Sequence, residues 1–191
     1  MKTLSCRETW LAMTRLSAAG DQRNYTQTIA MDDYLVETEL FPKPVLEAYS
    51  CWNLGQPLKP QQQAYFNSER GGGQGDYREG MPEKIANVVD CLRHYPASKR
   101  ALITIANQPI PDHRSDEQAK CFREIHFHLA KEPGRSILNA TCFFRAQAAL
   151  IFPKNIHFIG SLMHSIGQQL PQQPQLGQLF YLTSLLVADR T

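Results

Sequence analysis

A thiol, an arginine and an asparagine stand at spacings in the second half of the chain that could supply a nucleophile, an anion anchor and an amide that reads a base edge. Cys121 opens the run Cys121-Phe122-Arg123-Glu124-Ile125-His126-Phe127-His128-Leu129. Cys142-Phe143-Phe144-Arg145 follows, and then Phe152-Pro153-Lys154-Asn155-Ile156. Cysteine attacks as its thiolate, which cationic neighbours favour. Arginine presents a planar fork of N–H donors to an anion, and an amide carries a donor and an acceptor side by side. Each residue also has a plainer reading. Cys121 reads equally as a small inert core thiol, and Arg145 as half of a surface ion pair. Asn155 suits a helix N-cap before Ile156, and it can serve both as cap and as base contact.

The elements that must position these residues alternate in type. Glu8 to Ala19 carries Trp10, Leu11, Met13 and Leu16 at broadly helical spacing, with Gly20 as a stop. Arg23 to Leu40 reads as extended and Val45 to Trp52 as a short helix. Gln56 to Gly80 is polar, with Gln61-Gln62-Gln63 and Gly71-Gly72-Gly73-Gln74-Gly75, and reads as a mobile surface loop. Its glycine run lacks the following Lys-Ser/Thr and the leading apolar strand of a phosphate loop.

Pro82 to His94 is an amphipathic helix with Ile85, Val88, Val89 and Leu92 on one face. A buried strand from Ala101 to Ile105, a polar loop from Gln108 to Lys120 and the Cys121 strand follow. Lys131 to Arg135 is a hairpin connection into a strand from Ile137 to Phe144. Asn155 to Gln169 has helical spacing, Gln168 to Gln175 reads as a solvated loop, and Leu179 to Val187 is a final apolar segment. The expected class is α+β, with helices packed on a mixed sheet. His126 and His128 share one strand face and read as hydrogen-bonded polar side chains rather than metal ligands. Trp10 and Trp52 read as core or interface.

Composition bounds the function. The 191 residues suit a single domain over 1–191, with an ordinary 42% hydrophobic and 20% charged balance. A net charge of +2 is too small to imply a nucleic-acid or membrane surface. No apolar run approaches the roughly 20 residues of a membrane span. The segment from Met1 to Glu8 lacks the apolar core of a secretory signal, so a soluble, cytoplasmic protein is expected. The cysteines Cys6, Cys51, Cys91, Cys121 and Cys142 are odd in number and show no CxxC spacing, which argues against a zinc site or a disulfide framework.

Four segments in order carry a resemblance. Gly20-Asp21-Gln22-Arg23-Asn24 comes first, then Ile85 through Arg100 with its turn Pro96-Ala97-Ser98-Lys99-Arg100. The Cys121 run and Arg145 through Asn155-Ile156 complete the set. Together they resemble thymidylate synthase and its pyrimidine hydroxymethylase relatives. The matching family motifs are the phosphate-arginine turn, Pro-x-Ser-Arg-Arg, Pro-Cys-His-x-x-x-Gln-Phe and Arg-Ser-x-Asp…Pro-Phe-Asn-Ile.

The resemblance implies a thymidylate-synthase-like mixed sheet and folate-dependent one-carbon transfer, methyl or hydroxymethyl, to C5 of a pyrimidine nucleotide. Cys121 would add to C6, and Arg23, Lys99, Arg100 and Arg145 would hold phosphate. Asn155 would select a uracil base, and Glu47 would match the proton-relay glutamate at a spacing one residue off. Methylenetetrahydrofolate is the implied cofactor, and a homodimer with cations shared between subunits is the implied assembly. The chain departs from the pattern at Phe122, His126, Ala146 and Ala148, which replace the family's His, Gln, Ser and Asp. The Arg145–Asn155 stretch is one residue short. The family's Gly-Asp-x-His-x-Tyr has no counterpart in Thr183 to Asp189, nor has its lid before Thr191. The alternative expectation is a catalytically degenerate nucleotide-binding or scaffold protein of the same fold.

Overall fold

The computed structural model describes residues 2–70, 75–105, 114 and 120–189. The chain begins with a two-residue strand, β1 (Leu4–Ser5), that runs directly into helix α1 (Cys6–Ala18). Helix α1 starts two residues before the Glu8 expected from the apolar spacing, because Ser5 and Glu8 form a capping box. The Ser5 hydroxyl accepts from the Glu8 N–H at 3.2 Å, and the Glu8 carboxylate accepts from the Ser5 N–H at 2.8 Å. Strand β2 (Gln22–Ala30) follows, and the extended stretch stops there instead of reaching Leu40. Helices α2 (Lys43–Asn53), α3 (Pro60–Gln63) and α4 (Met81–His94) come next. Strands β3 (Leu102–Thr104), β4 (Phe122–Glu132), β5 (Arg135–Phe144) and β6 (Gln147–Ala148) then lead into α5 (Phe152–Gln169) and the last strand, β7 (Gln175–Val187).

These strands make one seven-stranded mixed sheet in the order β1-β2-β7-β5-β4-β3, with β6 also paired to β7. The architecture is therefore α+β, a mixed sheet with packed helices. The apolar run near the C-terminus is its central strand. Strand β7 lies antiparallel to β2 and parallel to both β5 and β6, and such doubly flanked strands read as continuous apolar runs. Strands β4 and β5 form the expected hairpin. Glu132 pairs with Arg135 across Pro133-Gly134, and Gly134 supplies φ +77°, which side-chain-bearing residues rarely adopt. Ala101, Ile103 and Ile105 are buried, but strand β3 is shorter than the expected Ala101–Ile105. It is a three-residue edge strand with only Ile103 turned into the core, and Leu102 is 38% exposed.

Helices cover one sheet face. Phe158, Ile159, Leu162, Met163 and Ile166 of α5 and Ile85, Val88, Val89 and Leu92 of α4 share a core with Ile125, Phe127, Phe144 and Leu179 of the sheet. The opposite face carries a cross-strand row of Thr28, Phe180, Thr141, His126 and Leu102. In that row Phe180 and Leu102 are each 38% exposed.

The described part of Gln56–Gly80 lies mostly at the surface and is bonded to the rest of the chain at several points. Tyr77 is buried, and its N–H donates to the Asn53 side chain at 2.6 Å. Tyr49 donates its hydroxyl proton to the Gly75 carbonyl at 2.9 Å, and the buried Lys154 donates to the Arg70 carbonyl at 3.0 Å. Trp52 lies under the Arg78 guanidinium at 3.6 Å. The run Gly71 to Gln74 and most of the loop from Gln108 to Lys120 fall outside the described residues. No helix among the described residues is long and apolar enough to cross a membrane.

Candidate functional site

Cys121 and Arg145 meet at one end of the sheet because β4 and β5 are hairpin partners. Phe122 pairs with Phe144, so the residue just before β4 faces the residue just after β5. The Arg145 N–H donates to the Cys121 carbonyl at 2.7 Å, and Arg145 Nη2 lies 3.8 Å from Cys121 Sγ. Two irregularities shape this end. The β4–β5 register shifts between Phe122 and Glu124, a bulge at Arg123. Strand β5 also breaks at Arg145-Ala146 before β6 resumes along β7. Cys121 is half-buried and Arg145 exposed, so the sulfur sits at the rim of the core beside a cation.

Beneath them is an aromatic wall. Phe122 stacks on Phe144 at 5.0 Å, and Phe144 stacks on Tyr181 at 5.2 Å. Tyr77 meets Phe122 edge-on at 5.4 Å. Tyr181 donates its hydroxyl proton to Gln147 Oε1 at 2.7 Å, and Asn155 donates from Nδ2 to the same oxygen at 2.9 Å. Gln147 in turn donates from Nε2 to the Ala148 carbonyl at 2.7 Å. Asn155 Oδ1 is buried with no hydrogen-bond partner, as is the Tyr25 hydroxyl. Burial first, and then the neighbouring Cys142, Tyr77, Cys121 and Tyr25, push the Tyr181 phenol well above its ordinary pKa. The phenol therefore acts as a proton donor at neutral pH. The stacked rings of Phe122, Phe144 and Tyr181 link the strand that Cys121 precedes to the amide pair of Gln147 and Asn155.

Asn155 is not the helix cap. Helix α5 starts three residues earlier, at Phe152, with Pro153 in its first turn, and Ile151 takes the cap position without a side-chain bond. The expectation failed because proline is at home in the first turn of a helix and extended the element backwards. Freed from capping, the Asn155 side chain is only 3% exposed and turns to Gln147.

The other cations are spread out. Arg23 is exposed on β2 opposite Leu185, at the same end of β7 as the Arg145 break. With strands ~5 Å apart, it stands about 10 Å from that break. Lys99 and Arg100 are exposed and precede β3. Ala101 lies beside Phe127, since the Phe127 N–H donates to its carbonyl. At ~3.3 Å per residue, that is about 20 Å along β4 from Cys121. One chain therefore does not bring Lys99 and Arg100 to the thiol. Glu47 lies on the outer surface of α2, where its side chain is 52% exposed and 3.8 Å from Lys43. His126 lies between the buried Ile125 and Phe127, so it turns to the opposite sheet face. Its Nε2 is buried without a partner, against the expectation of a satisfied side chain. No three His, Cys, Asp or Glu residues among those described are placed to hold a metal ion.

Gln147, Tyr181 and Tyr77 were not singled out from the sequence. One signal was present: a tyrosine inside an apolar central strand has a hydroxyl that must find a partner. No known family model matches the chain, and no curated protein matches it either.

Proposed function

We propose that the chain acts on C5 of a pyrimidine nucleotide by covalent cysteine catalysis. The observation that carries this reading is the Arg145 guanidinium 3.8 Å from the Cys121 sulfur, at the edge of a region where Asn155 keeps a buried, unpartnered acceptor. In the proposed reaction Cys121 Sγ adds to C6 and makes C5 nucleophilic. C5 attacks a one-carbon electrophile and loses its proton, and elimination of the thiolate restores the ring. Arg145 and Arg23 would anchor the phosphate and orient the ring, and Asn155 would meet the base.

The carbon donor in this proposal is methylenetetrahydrofolate. On this reading it would enter the groove beside the aromatic wall, lined by Asp76, Arg78, Glu79, Lys84 and Lys120. Its cations outnumber its acids by one.

A homodimer completes the proposal. Lys99 and Arg100 lie far from Cys121 in their own chain and would serve the partner's site, and the open row from Thr28 to Leu102 would be the shared face. A second reading is favoured by Phe122 and Ala148, where the chain departs from the family's histidine and aspartate. Where the family has a histidine beside the nucleophile, this chain packs a fully buried ring between Phe144 and Phe158. On that reading the fold binds a nucleotide or serves as a scaffold without turning it over.

The deciding experiment is release of the C5 hydrogen as labelled water from dUMP, UMP, dCMP and CMP, each with and without methylenetetrahydrofolate. The expected result is folate-dependent release from a uracil nucleotide, lost by more than ~1,000-fold in Cys121→Ser while the fold is kept. No release from any of the four would overturn the enzyme reading and leave the binding role.

A further inference from the structure

We propose that the open face of the sheet is an acid-sensitive joint between two copies of this chain, closed while His126 and His128 are neutral and opened when they take up protons. The proposal rests on the homodimer part of the reading above and is independent of its chemistry at C5.

Two rows cross strands β2, β7, β5, β4 and β3 on that face. One is Thr28, Phe180, Thr141, His126 and Leu102, and the next is Thr26, Leu182, Phe143, Glu124 and Thr104. Of these ten positions only Glu124 bears a fixed charge. Phe180 and Leu102 are each 38% exposed, and Leu182 and Phe143 are half-buried. Interface centres are likewise poor in charge and rich in aromatic rings. A strongly acidic or basic partner would find little to pair with here, whereas a second copy meets a surface as neutral as its own. Five strands ~4.8 Å apart, over ~20 Å of strand length, present about 500 Å² per chain. Two such faces together reach the ~1,000 Å² that a specific interface needs.

The histidines make that neutrality conditional. His126 lies between Thr141 on β5 and Leu102 on β3, and its Nε2 is buried without a partner. His128 faces Asn139 on β5, and the β3 register carries Arg100 to its other side. Among the described residues of these rows the one acid is Glu124, two residues from His126 on the same face. Protonating both rings therefore adds two positive charges per chain beside Arg100, with one carboxylate to balance them. Burial first, and then His126, already hold the His128 imidazole below its ordinary pKa. A second copy strips more water from both rings, so the closed joint binds protons less readily than the separated chains. Its stability is full where imidazoles are neutral and is lost as the pH falls through their range.

The test is sedimentation velocity on the full chain at about pH 8 and about pH 5.5, with circular dichroism to confirm that it stays folded. Wild type is expected to be a dimer at the higher pH and to dissociate at the lower, with a dimer Kd weakened by at least ~100-fold. The double variant H126Q/H128Q is expected to stay dimeric at both, and Phe180→Glu to be monomeric at both. A wild type that is dimeric at both pH values overturns the acid joint and leaves the homodimer standing. A monomer at both overturns the homodimer reading and the proposal with it. Dissociation of the double variant at the wild-type pH overturns the role of the histidines. If the double variant does not fold, the exposed His128→Gln decides, with an expected ~tenfold smaller acid effect; an unchanged effect overturns the proposal. A Phe180→Glu dimer at the higher pH places the contact on another face and overturns it too.

Discussion

Between α2 and α5, Ser50 Oγ and His157 Nδ1 share a hydrogen bond of 2.7 Å, whereas Arg145 Nη2 stands 3.8 Å from the Cys121 sulfur at the end of the sheet. On distance alone the first pair is the better candidate for a nucleophile and its base. Its surroundings say otherwise. Ser50 and His157 are 3% and 7% exposed, and the His157 ring also bonds the Leu46 backbone and meets Tyr34 edge-on at 5.4 Å. Gly160, one turn further along α5, leaves room for Tyr34, since a Cβ there would lie 2.2 Å from its ring. Everything in that pair is satisfied and enclosed, and its role is to pin α2 to α5. Cys121 is half-buried beside an exposed cation, and Asn155 near it holds an unpartnered acceptor. Reach is thus a weaker signal of function than a half-buried thiol beside an exposed cation and an acceptor left unpaired.

The sharpest break of that comparison is at the aromatic wall under the thiol. Phe122→Ala removes a fully buried ring stacked on Phe144. It should cost about 3–5 kcal/mol in urea unfolding. A cost under ~1 kcal/mol would mean that the wall does not pack as described.

Acid probes the other region. Burial, above all, lowers the His157 pKa from 6.5 to about 4, with Lys43 adding to it and the Leu46 bond opposing. The unfolded chain therefore binds a proton that the folded chain refuses. The stability this contributes is full above about pH 6.5 and fades as the pH falls toward 4. A shift of this size corresponds to about 3 kcal/mol. The drop should appear in pH-dependent unfolding of the native chain and be absent from His157→Gln.

Ser50→Ala should cost about 1–3 kcal/mol by leaving His157 Nδ1 unpaired, while C5 hydrogen release stays within about twofold of native. A collapse of release to the level of Cys121→Ser would reverse the ranking of the two pairs. The smallest effect is expected at Glu47. Its exposed pairing with Lys43 predicts a stability change under ~0.5 kcal/mol for Glu47→Gln. A rate loss above about tenfold in that variant would make Glu47 the proton relay that its spacing suggested.

Much of the fold was legible because local rules and tertiary packing agreed. The hairpin at Pro133-Gly134, the amphipathic faces of α4 and α5 and the mixed class followed from turn residues and periodicity. Boundaries failed where a side chain overrode spacing, as at the Ser5–Glu8 cap and at Pro153. Polarity in Gln56–Gly80 does not reveal that Asn53 and Lys154, from other parts of the chain, bond Tyr77 and Arg70 within it.

The sequence by itself determined which reactive types exist, that Cys121 precedes a strand and that Arg145 follows one. Tertiary structure decided which of them meet. Hairpin register set Cys121 against Arg145, while the length of β4 carried Lys99 and Arg100 away, because strand pairing fixes position to one residue and no local signal records it. Tertiary structure also decided the orientation of Asn155. That depends on a glutamine eight residues earlier and a tyrosine on β7, brought together only by the closing of the sheet.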